Sequence, residues 1–303
     1  DQVLLSHRPA HKHQGDRWEF PGGKREAGES VAECLARELD EELGLTIRAC
    51  RPFMTLEYAY TERRVRLFFR EVTEWSGEAR GREGQPFAWI PVARLAEYPL
   101  PEANRPLIAA LNLPDAWAIR PPDMEDSILR QALPGQAAAG RGVYLRGLET
   151  EPERLRAQVR ACHDLGVPVM VGGEPDLARE LRAEVLHLTA ATAVHRDQRP
   201  DFPGYVSVAC HSAAELQQAR KLDADQVLLS PVAATPSHAD TPALGWPAFG
   251  KLTTGQPMAV YALGGVGPAD LERAREAGAR GVAGIRGFWD TEGQGARGKG
   301  QEN

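Results

Sequence analysis

The chain has little cysteine, and what it has is scattered. Four thiols in 303 residues (Cys34, Cys50, Cys162 and Cys210) form no Cys-x-x-Cys pair. Neither a disulfide scaffold nor a structural zinc site is expected, and a reducing cytoplasm suits this composition best. Long apolar runs are also missing. Nothing uninterrupted approaches the ~18 residues of a membrane span, and no basic–apolar–small leader precedes the first strand-like residues of a chain that starts at Asp1. No membrane association is expected. A surplus of positive charge is absent too: Lys and Arg number 36 against 42 Asp and Glu. Residues 1–113 carry 16 against 18, and residues 114–303 carry 20 against 24. Neither half offers the positive field that polymeric nucleic acid needs for counterion release. Any nucleotide handled here is expected to be a free small molecule. What is present is ordinary for a globular chain: 42% hydrophobic and 26% charged residues, with 30 Gly and 23 Pro for turns. The length suits two domains.

The two halves have different patterning. Residues 3–5, 49–59, 64–73 and 87–91 read as strands, several with apolar/polar alternation. Between the first two, residues 30–43 read as a helix. Ser30 and Glu33 make a capping box, Val31, Leu35, Leu39 and Leu43 an apolar stripe, and Gly44 a left-handed stop. A second amphipathic helix is expected at about 103–111, after Pro99 and Pro101. Leu113-Pro114-Asp115 is the expected boundary. Beyond it, short apolar runs (117–120, 143–146, 168–173, 185–189, 206–210, 226–232, 258–265 and 281–287) alternate with helical patterns such as 153–165, 213–222 and 268–277. Eight strand–helix repeats too apolar to alternate predict a parallel sheet closed into a (β/α)8 barrel over residues 114–290. Residues 190–204 read as loop, and 291–303 as a flexible tail with almost nothing apolar to bury.

Chemistry concentrates on the first helix. Glu38, Glu41 and Glu42 stand at i, i+3 and i+4, so their carboxylates share a face. They lie in the last two turns, where the macrodipole is negative. Both effects disfavour three acids unless a cation compensates, and a hard divalent ion taking carboxylate and phosphate oxygens does so. A solvated acidic face is the bland alternative.

The neighbours decide between these. Gly23, Glu29, Arg37-Glu38-Leu39, Glu41-Glu42 and Gly44-Leu45 fill every position of G-x5-E-x7-R-E-U-x-E-E-x-G-U, where U is a bulky aliphatic. This resembles the box of the Nudix hydrolases. Trp18-Glu19-Phe20-Pro21-Gly22-Gly23-Lys24, Glu83-Gly84-Gln85-Pro86 and Pro101-Glu102-Ala103-Asn104-Arg105-Pro106 are similar to the MutT branch, the 8-oxo-dGTP diphosphatases. The resemblance runs from about residue 3 to 113. It implies an α/β/α sandwich with a mixed sheet, whose first strand is expected to be incomplete because the chain starts late in it. It also implies hydrolysis of a nucleoside triphosphate to the monophosphate and pyrophosphate, with Mg²⁺ or Mn²⁺. Glu38, Glu41, Glu42 and Glu83 match metal-binding carboxylates, and Gly22 contributes its carbonyl. Glu38 is the first choice of general base and Glu83 the second. Arg37 and Glu29 are expected to orient the loop. Asn104 matches the position whose amide reads the oxidised guanine, with a helix N-cap as the alternative role. Arg8 and Arg63 match nucleotide-contacting positions, a solvated surface charge being the alternative for each, and Phe20 adds backbone groups.

The second half resembles thiamine-phosphate synthase and its TenI relatives over about 114–289. The similarity rests on Leu186-His187-Leu188-Thr189, Ala209-Cys210-His211-Ser212, the segment from Ser230 to His238, Tyr261-Ala262-Leu263-Gly264-Gly265-Val266 and Gly281-Val282-Ala283-Gly284-Ile285-Arg286-Gly287. Gly264, Gly265 and Arg286 are the expected phosphate cradle at the strand ends. His211 matches a family histidine used for acid/base work, a hydrogen-bonded structural histidine being the alternative; His187 is expected in the core. The synthases' acids after the third and fourth strands are replaced here by Gly172-Gly173 and Thr189-Ala190-Ala191-Thr192. The resemblance therefore implies a barrel that binds a phosphorylated ligand without synthase activity. Two other readings remain: hydrolysis of a thiamine-pathway diphosphate by the first half, or a regulatory or scaffolding barrel.

Overall fold

The structure, a computed structural model, describes residues 2–8, 15–59, 64–235 and 242–289. Arg63 and the expected tail 291–303 lie outside the described residues. The chain divides into two compact units, Asp1–Leu113 and Pro114–Asn303.

The first unit holds β1 (Gln2–Arg8), β2 (Arg17–Glu19), α1 (Val31–Leu43), β3 (Thr46–Ala59), β4 (Arg64–Ser76), β5 (Phe87–Pro91) and α2 (Arg105–Asn112). β1 is the centre of a three-stranded sheet, β2-β1-β5, and β3 pairs with β4 as a long hairpin. The described ladders are antiparallel, in two sheets rather than the one mixed sheet expected. β3 and β4 pair along almost their whole length through one shared edge. Bulges at 47–54 bend the hairpin where Pro52 has no amide to donate. Period-2 alternation in β1 makes the sandwich. Leu5 faces a cluster with Ile90, Leu95 and, from α2, Ile108 and Leu111. Leu4 faces the opposite cluster of Leu39, Leu43 and Leu45, with Ile47 and Val72.

α1 follows its local signals closely. The Ser30 hydroxyl accepts from the Glu33 amide at 3.2 Å, and the Glu33 carboxylate accepts from the Ser30 amide at 2.7 Å. Gly44 ends the helix at φ 70°. Of the four stripe residues only Leu39 and Leu43 are buried; Val31 and Leu35 line a cavity instead.

The second unit is a closed barrel. In chain order it runs β6 (Ala116–Ile119), α3 (Asp126–Ala138), β7 (Gly142–Tyr144), α4 (Pro152–His163), β8 (Val169–Gly172), α5 (Pro175–Glu180), β9 (Val185–Leu188), α6 (Ala190–Ala193), β10 (Tyr205–Cys210), α7 (Ala213–Lys221), β11 (Gln226–Leu229), α8 (Gly245–Thr253), β12 (Ala259–Leu263), α9 (Leu271–Glu276) and β13 (Gly281–Gly284). Each strand pairs in parallel with the next, and β13 closes on β6. The stretch expected as loop opens with one helical turn, α6, because the Thr189 hydroxyl caps it through the Thr192 amide.

Valines and leucines on one side of each strand pack under the helices: Val143, Val171, Leu186, Val208, Val227 and Val260 belong to one buried cluster. The other side fills the barrel with larger and more polar groups. Trp117 is fully buried and donates to Gln226 Oε1 at 3.2 Å. Gly142 makes room for that indole, since a Cβ there would sit 2.3 Å from it. His187 meets the Ser207 hydroxyl at 2.9 Å and tilts against the Tyr144 ring at 4.8 Å.

Candidate active site

Arg37 organises the acids of α1. Its Nε and Nη2 donate to the two oxygens of Glu29 at 2.9 and 3.2 Å, and Nη1 reaches Glu38 at 2.9 Å and Glu41 at 3.2 Å. The Arg37 hydrogen bonds hold the Glu29 carboxyl down at about 2. Nη2 also donates to the Lys24 carbonyl at 3.2 Å, tying the preceding loop to the helix.

Glu42 is different. Its carboxyl is pushed up to about 7, first by burial and then by the charges of Glu38, Glu19 and Glu83, against a lowering hydrogen bond from the Gly22 amide. That bond is long, at 3.4 Å. Four carboxylates therefore share one field, and only part of their charge is met by Arg37. Glu83 belongs to the loop after β4. That loop docks on the last turn of α1, where Arg80 and Arg82 amides donate to the carbonyls of Leu43 and Glu42.

A cavity of about 620 Å³ opens beside these acids. Arg8, Glu19, Phe20, Gly22, Gly23 and Asn104 are among its lining residues. The carboxylates meet this wall through its glycines: Glu42 through the Gly22 amide, and Glu38 by lying where a Cβ of Gly23 would stand. Of the expected nucleotide contacts, Arg8, Phe20 and Asn104 thus come together. Arg8 donates to Glu19 at 2.7 Å, while its buried Nε has no partner among the described residues. Phe20 meets the Phe69 ring edge-on at 6.2 Å. Asn104 is 7% exposed. It precedes α2, yet its side chain makes no cap hydrogen bond. The geometric requirement for the N-cap alternative is not met.

In the barrel unit the expected ligand residues sit at strand ends. Gly264 and Gly265 follow β12 with φ of 89° and 68°. A Cβ on Gly264 would lie 2.8 Å from Pro231 and one on Gly265 2.8 Å from the Ala234 carbonyl, so only glycine fits either place. Arg286 reaches Thr235 of the same segment at 3.5 Å. His211 Nδ1 stands 3.1 Å from both the carbonyl and the hydroxyl of Ser230. His187 is buried as expected, and burial holds its imidazole down at about 3.

Comparison with known proteins places each unit in a family. Residues 1–110 match the NUDIX domain family, and residues 127–288 the thiamine monophosphate synthase family. An 8-oxo-dGTP diphosphatase of Escherichia coli is 40% identical over 111 residues, 37% of this chain and 86% of that protein. A CTP pyrophosphohydrolase of the same organism is 34% identical over 109 residues, 36% of this chain and 81% of that protein. A thiamine-phosphate synthase of Bordetella avium is 31% identical over 186 residues, 56% of this chain and 85% of that protein. The chain belongs to both families, Nudix and thiamine monophosphate synthase. The Nudix unit is a hydrolase, and the barrel is of the thiamine monophosphate synthase type.

The residues of the Nudix unit suit a divalent cation. The side-chain donors are carboxylate oxygens, burial and mutual repulsion together raise Glu42, and the space beside Gly22 is open to a ligand. They do not form a closed cage: among the described residues no three His, Cys, Asp or Glu side chains are gathered as a metal site, and Arg37 pairs with both Glu38 and Glu41.

Three features escaped the sequence reading. Glu19 joins the acid field of Glu42 while pairing with Arg8. Alternation was the available signal: Trp18 and Phe20 pack inward, so Glu19 between them faces the other way. Gln85, in the Glu83-Gly84-Gln85-Pro86 segment, is buried between Glu42 and Glu83. In the barrel unit, Glu149 lies over Gly172, its Oε1 2.6 Å from the position of a Cβ there, with the Tyr144 hydroxyl at 3.3 Å. One carboxylate thus reaches the place where sequence showed only glycine. No local pattern announces it.

Proposed function

We propose that the Nudix unit is a Mg²⁺-dependent pyrophosphohydrolase, with Mn²⁺ as a substitute, that converts 8-oxo-dGTP to 8-oxo-dGMP and pyrophosphate. It would thereby keep oxidised guanine out of the nucleotide pool and out of replicating DNA. The observation that carries this reading is Asn104. This residue, 7% exposed, lines the cavity, and its side chain is not spent on capping α2. An amide that both donates and accepts suits an oxidised purine edge. The names of the Escherichia coli and Haemophilus influenzae diphosphatases, 40% and 36% identical, support the same substrate. Four cysteines without disulfides support a reducing, cytoplasmic setting.

Glu38, Glu41, Glu42 and Glu83 would hold the metal, with the Gly22 carbonyl. When bound, the cation neutralises phosphate charge and makes a water more acidic. Glu38, held by Arg37 and seated against Gly23, would accept the proton of the attacking water. The water oxygen bonds to the β-phosphorus as the bond from it to the α–β bridging oxygen breaks, so pyrophosphate and the nucleoside monophosphate separate. Arg8 and Phe20 position the nucleotide, and Asn104 reads its base. The barrel binds a phosphorylated ligand at Gly264, Gly265 and Arg286, with His211 beside it, and does not condense substrates.

A hydrolysis panel tests the whole reading. The full chain is given 8-oxo-dGTP, dGTP, CTP and thiamine-pathway diphosphates, with and without Mg²⁺, and products are identified. Preference for 8-oxo-dGTP with release of pyrophosphate is expected. Preference for a thiamine-pathway diphosphate, or thiamine phosphate formed from a pyrimidine diphosphate and a thiazole phosphate, would replace the reading for the corresponding unit.

A further inference from the structure

The last carbonyls of any helix lack partners within it. In α1 the Gly44 cap serves Asp40 through the Gly44 amide and Leu39 through the Leu45 amide, and the loop that carries Glu83 serves Glu42 and Leu43. The Arg80 amide donates to Leu43 at 2.8 Å and the Arg82 amide to Glu42 at 2.9 Å. The Arg82 guanidinium donates to the Asp40 carbonyl at 2.8 Å. Gln85 does more than add one further bond. Its Nε2 donates to the Glu42 carbonyl at 3.0 Å, while its Oε1 accepts the Glu83 amide hydrogen at 2.9 Å.

One planar amide, 9% exposed, therefore clamps the backbones of two carboxylate-bearing residues that lie 41 positions apart (83 − 42). The turn beneath it is shaped to hold it there. Gly84 donates to the Gly81 carbonyl at 3.1 Å, and a Cβ on Gly81 would stand 2.3 Å from the Gln85 carbonyl oxygen.

We propose that Gln85 is a positioning residue of the Nudix site: it sets how the Glu83 carboxylate stands relative to that of Glu42, and so whether the two can serve one cation. The proposal rests on the reading that these acids hold a metal. Both hydrogen bonds are needed, because each fixes only one side of the gap. A side-chain amide can bridge that gap because one end donates and the other accepts, in a single rigid plane. A partner that orients metal-binding groups without touching the ion typically changes affinity by about 10- to 100-fold when removed.

The test measures Mn²⁺ binding to the full chain without nucleotide, by the loss of the free-ion paramagnetic resonance signal. Gln85→Met keeps the volume and removes both hydrogen bonds; Gln85→Glu keeps an acceptor for Glu83 and loses the donor to Glu42. Gly81→Ala displaces Gln85 without changing it. Each should weaken Mn²⁺ binding by about tenfold or more. The double variant Gln85→Met, Glu83→Gln should bind no more weakly than Glu83→Gln alone, because with the Glu83 charge gone there is nothing left to position.

A lower melting temperature with wild-type Mn²⁺ affinity in the Gln85 variants would reduce Gln85 to a helix cap and overturn the proposal. So would full additivity in the double variant. Failure of the underlying reading looks different: Glu42→Gln and Glu83→Gln would then leave Mn²⁺ binding unchanged by themselves. If Gln85→Met unfolds at the assay temperature, Gln85→Glu and Gly81→Ala decide the matter alone.

Discussion

The Glu38 carboxylate occupies the space beside Gly23 that a side chain would need: a Cβ at residue 23 would lie 2.1 Å from both its Cδ and its Oε1. The atoms in the way are the end of a flexible side chain, so the backbone has no need to move. Glu38 must. Gly23→Ala is therefore a substitution that the fold tolerates and the site does not.

The expected outcome for Gly23→Ala is a melting temperature within a few degrees of wild type. Its kcat should fall by about 10²- to 10⁴-fold, the usual contribution of a positioned base. Near-normal kcat would remove Glu38 from the general-base role. A large loss of stability would mean that Gly23 serves the backbone instead.

Glu41 and Glu42 are adjacent in sequence, but their surroundings differ. Glu41 is well exposed and pairs with Arg37, whereas Glu42 is half-buried, and desolvation first and the like charges of Glu38, Glu19 and Glu83 second push its carboxyl up to about 7. A carboxyl raised in the folded state costs stability once it ionises. That cost is absent below the ordinary value of 4.5, grows between 4.5 and about 7, and is constant above. In metal-free protein, Glu42→Gln should then melt higher than wild type at pH 8 and no higher at pH 4. Glu41→Gln should show no such pH-dependent gain. Both should raise the Mg²⁺ concentration needed for half-maximal rate, Glu42→Gln the more. Melting curves in a chelator at the two pH values, with Mg²⁺ titrations of the rate, check this. Equal behaviour of the two variants would contradict the difference in their surroundings.

Parts of the site were legible because their signals are local. The capping box and Gly44 define α1 within 15 residues, and the 3.6-residue period then sets Glu38, Glu41 and Glu42 on one face. The parallel barrel was legible for a related reason: its strands are buried on both sides and read as continuous apolar runs. The rest depends on tertiary register. β2 is three residues long, too short for any period to show. Gln85 and Glu149 act on residues that only folding brings near. The described ladders of the first unit are antiparallel rather than mixed, and strand direction is set between segments distant in sequence, which no local pattern reports.

Within the barrel, His187 is a pH-sensitive weak point. Its imidazole is buried, shares a hydrogen bond with Ser207 and is held down at about 3 against an ordinary 6.5, by burial first and by the Arg146 charge second. The unfolded chain takes up a proton near pH 6.5 and the folded one does not. Stability on this account is full above that value and is lost as pH falls toward 3. Between pH 7 and pH 5 the loss is about 2 kcal/mol, at 1.36 kcal/mol per pH unit. His187→Asn should be less stable than wild type at pH 7 but lack this acid-dependent part. Urea titrations of the full chain, following the transition that exposes Trp117, test it; an unchanged pH slope in the variant would assign the acid sensitivity elsewhere.

Asn104 separates recognition of the base from chemistry on the phosphates. Asn104 is part of the cavity wall, 7% exposed, and its side chain does not cap α2. Asn104→Ala should therefore leave the helix nearly as stable as before, where loss of a true N-cap costs about 1 kcal/mol. Bound 8-oxo-dGTP would instead lose partners for its base, at about 1–3 kcal/mol per group left unpaired. At about 1.4 kcal/mol per decade this is roughly a 5- to 150-fold fall in kcat/KM. The fall should be larger for 8-oxo-dGTP than for dGTP, because the oxidised edge presents the extra group for a donor and acceptor to meet. Glu38 and Glu42 lie on α1 and meet the wall at Gly22 and Gly23, not at Asn104, so the residual rate should saturate with Mg²⁺ as in wild type. Measuring kcat/KM for both nucleotides beside a melting curve decides the role. An unchanged preference ratio would take Asn104 out of base recognition, whatever the size of the common loss.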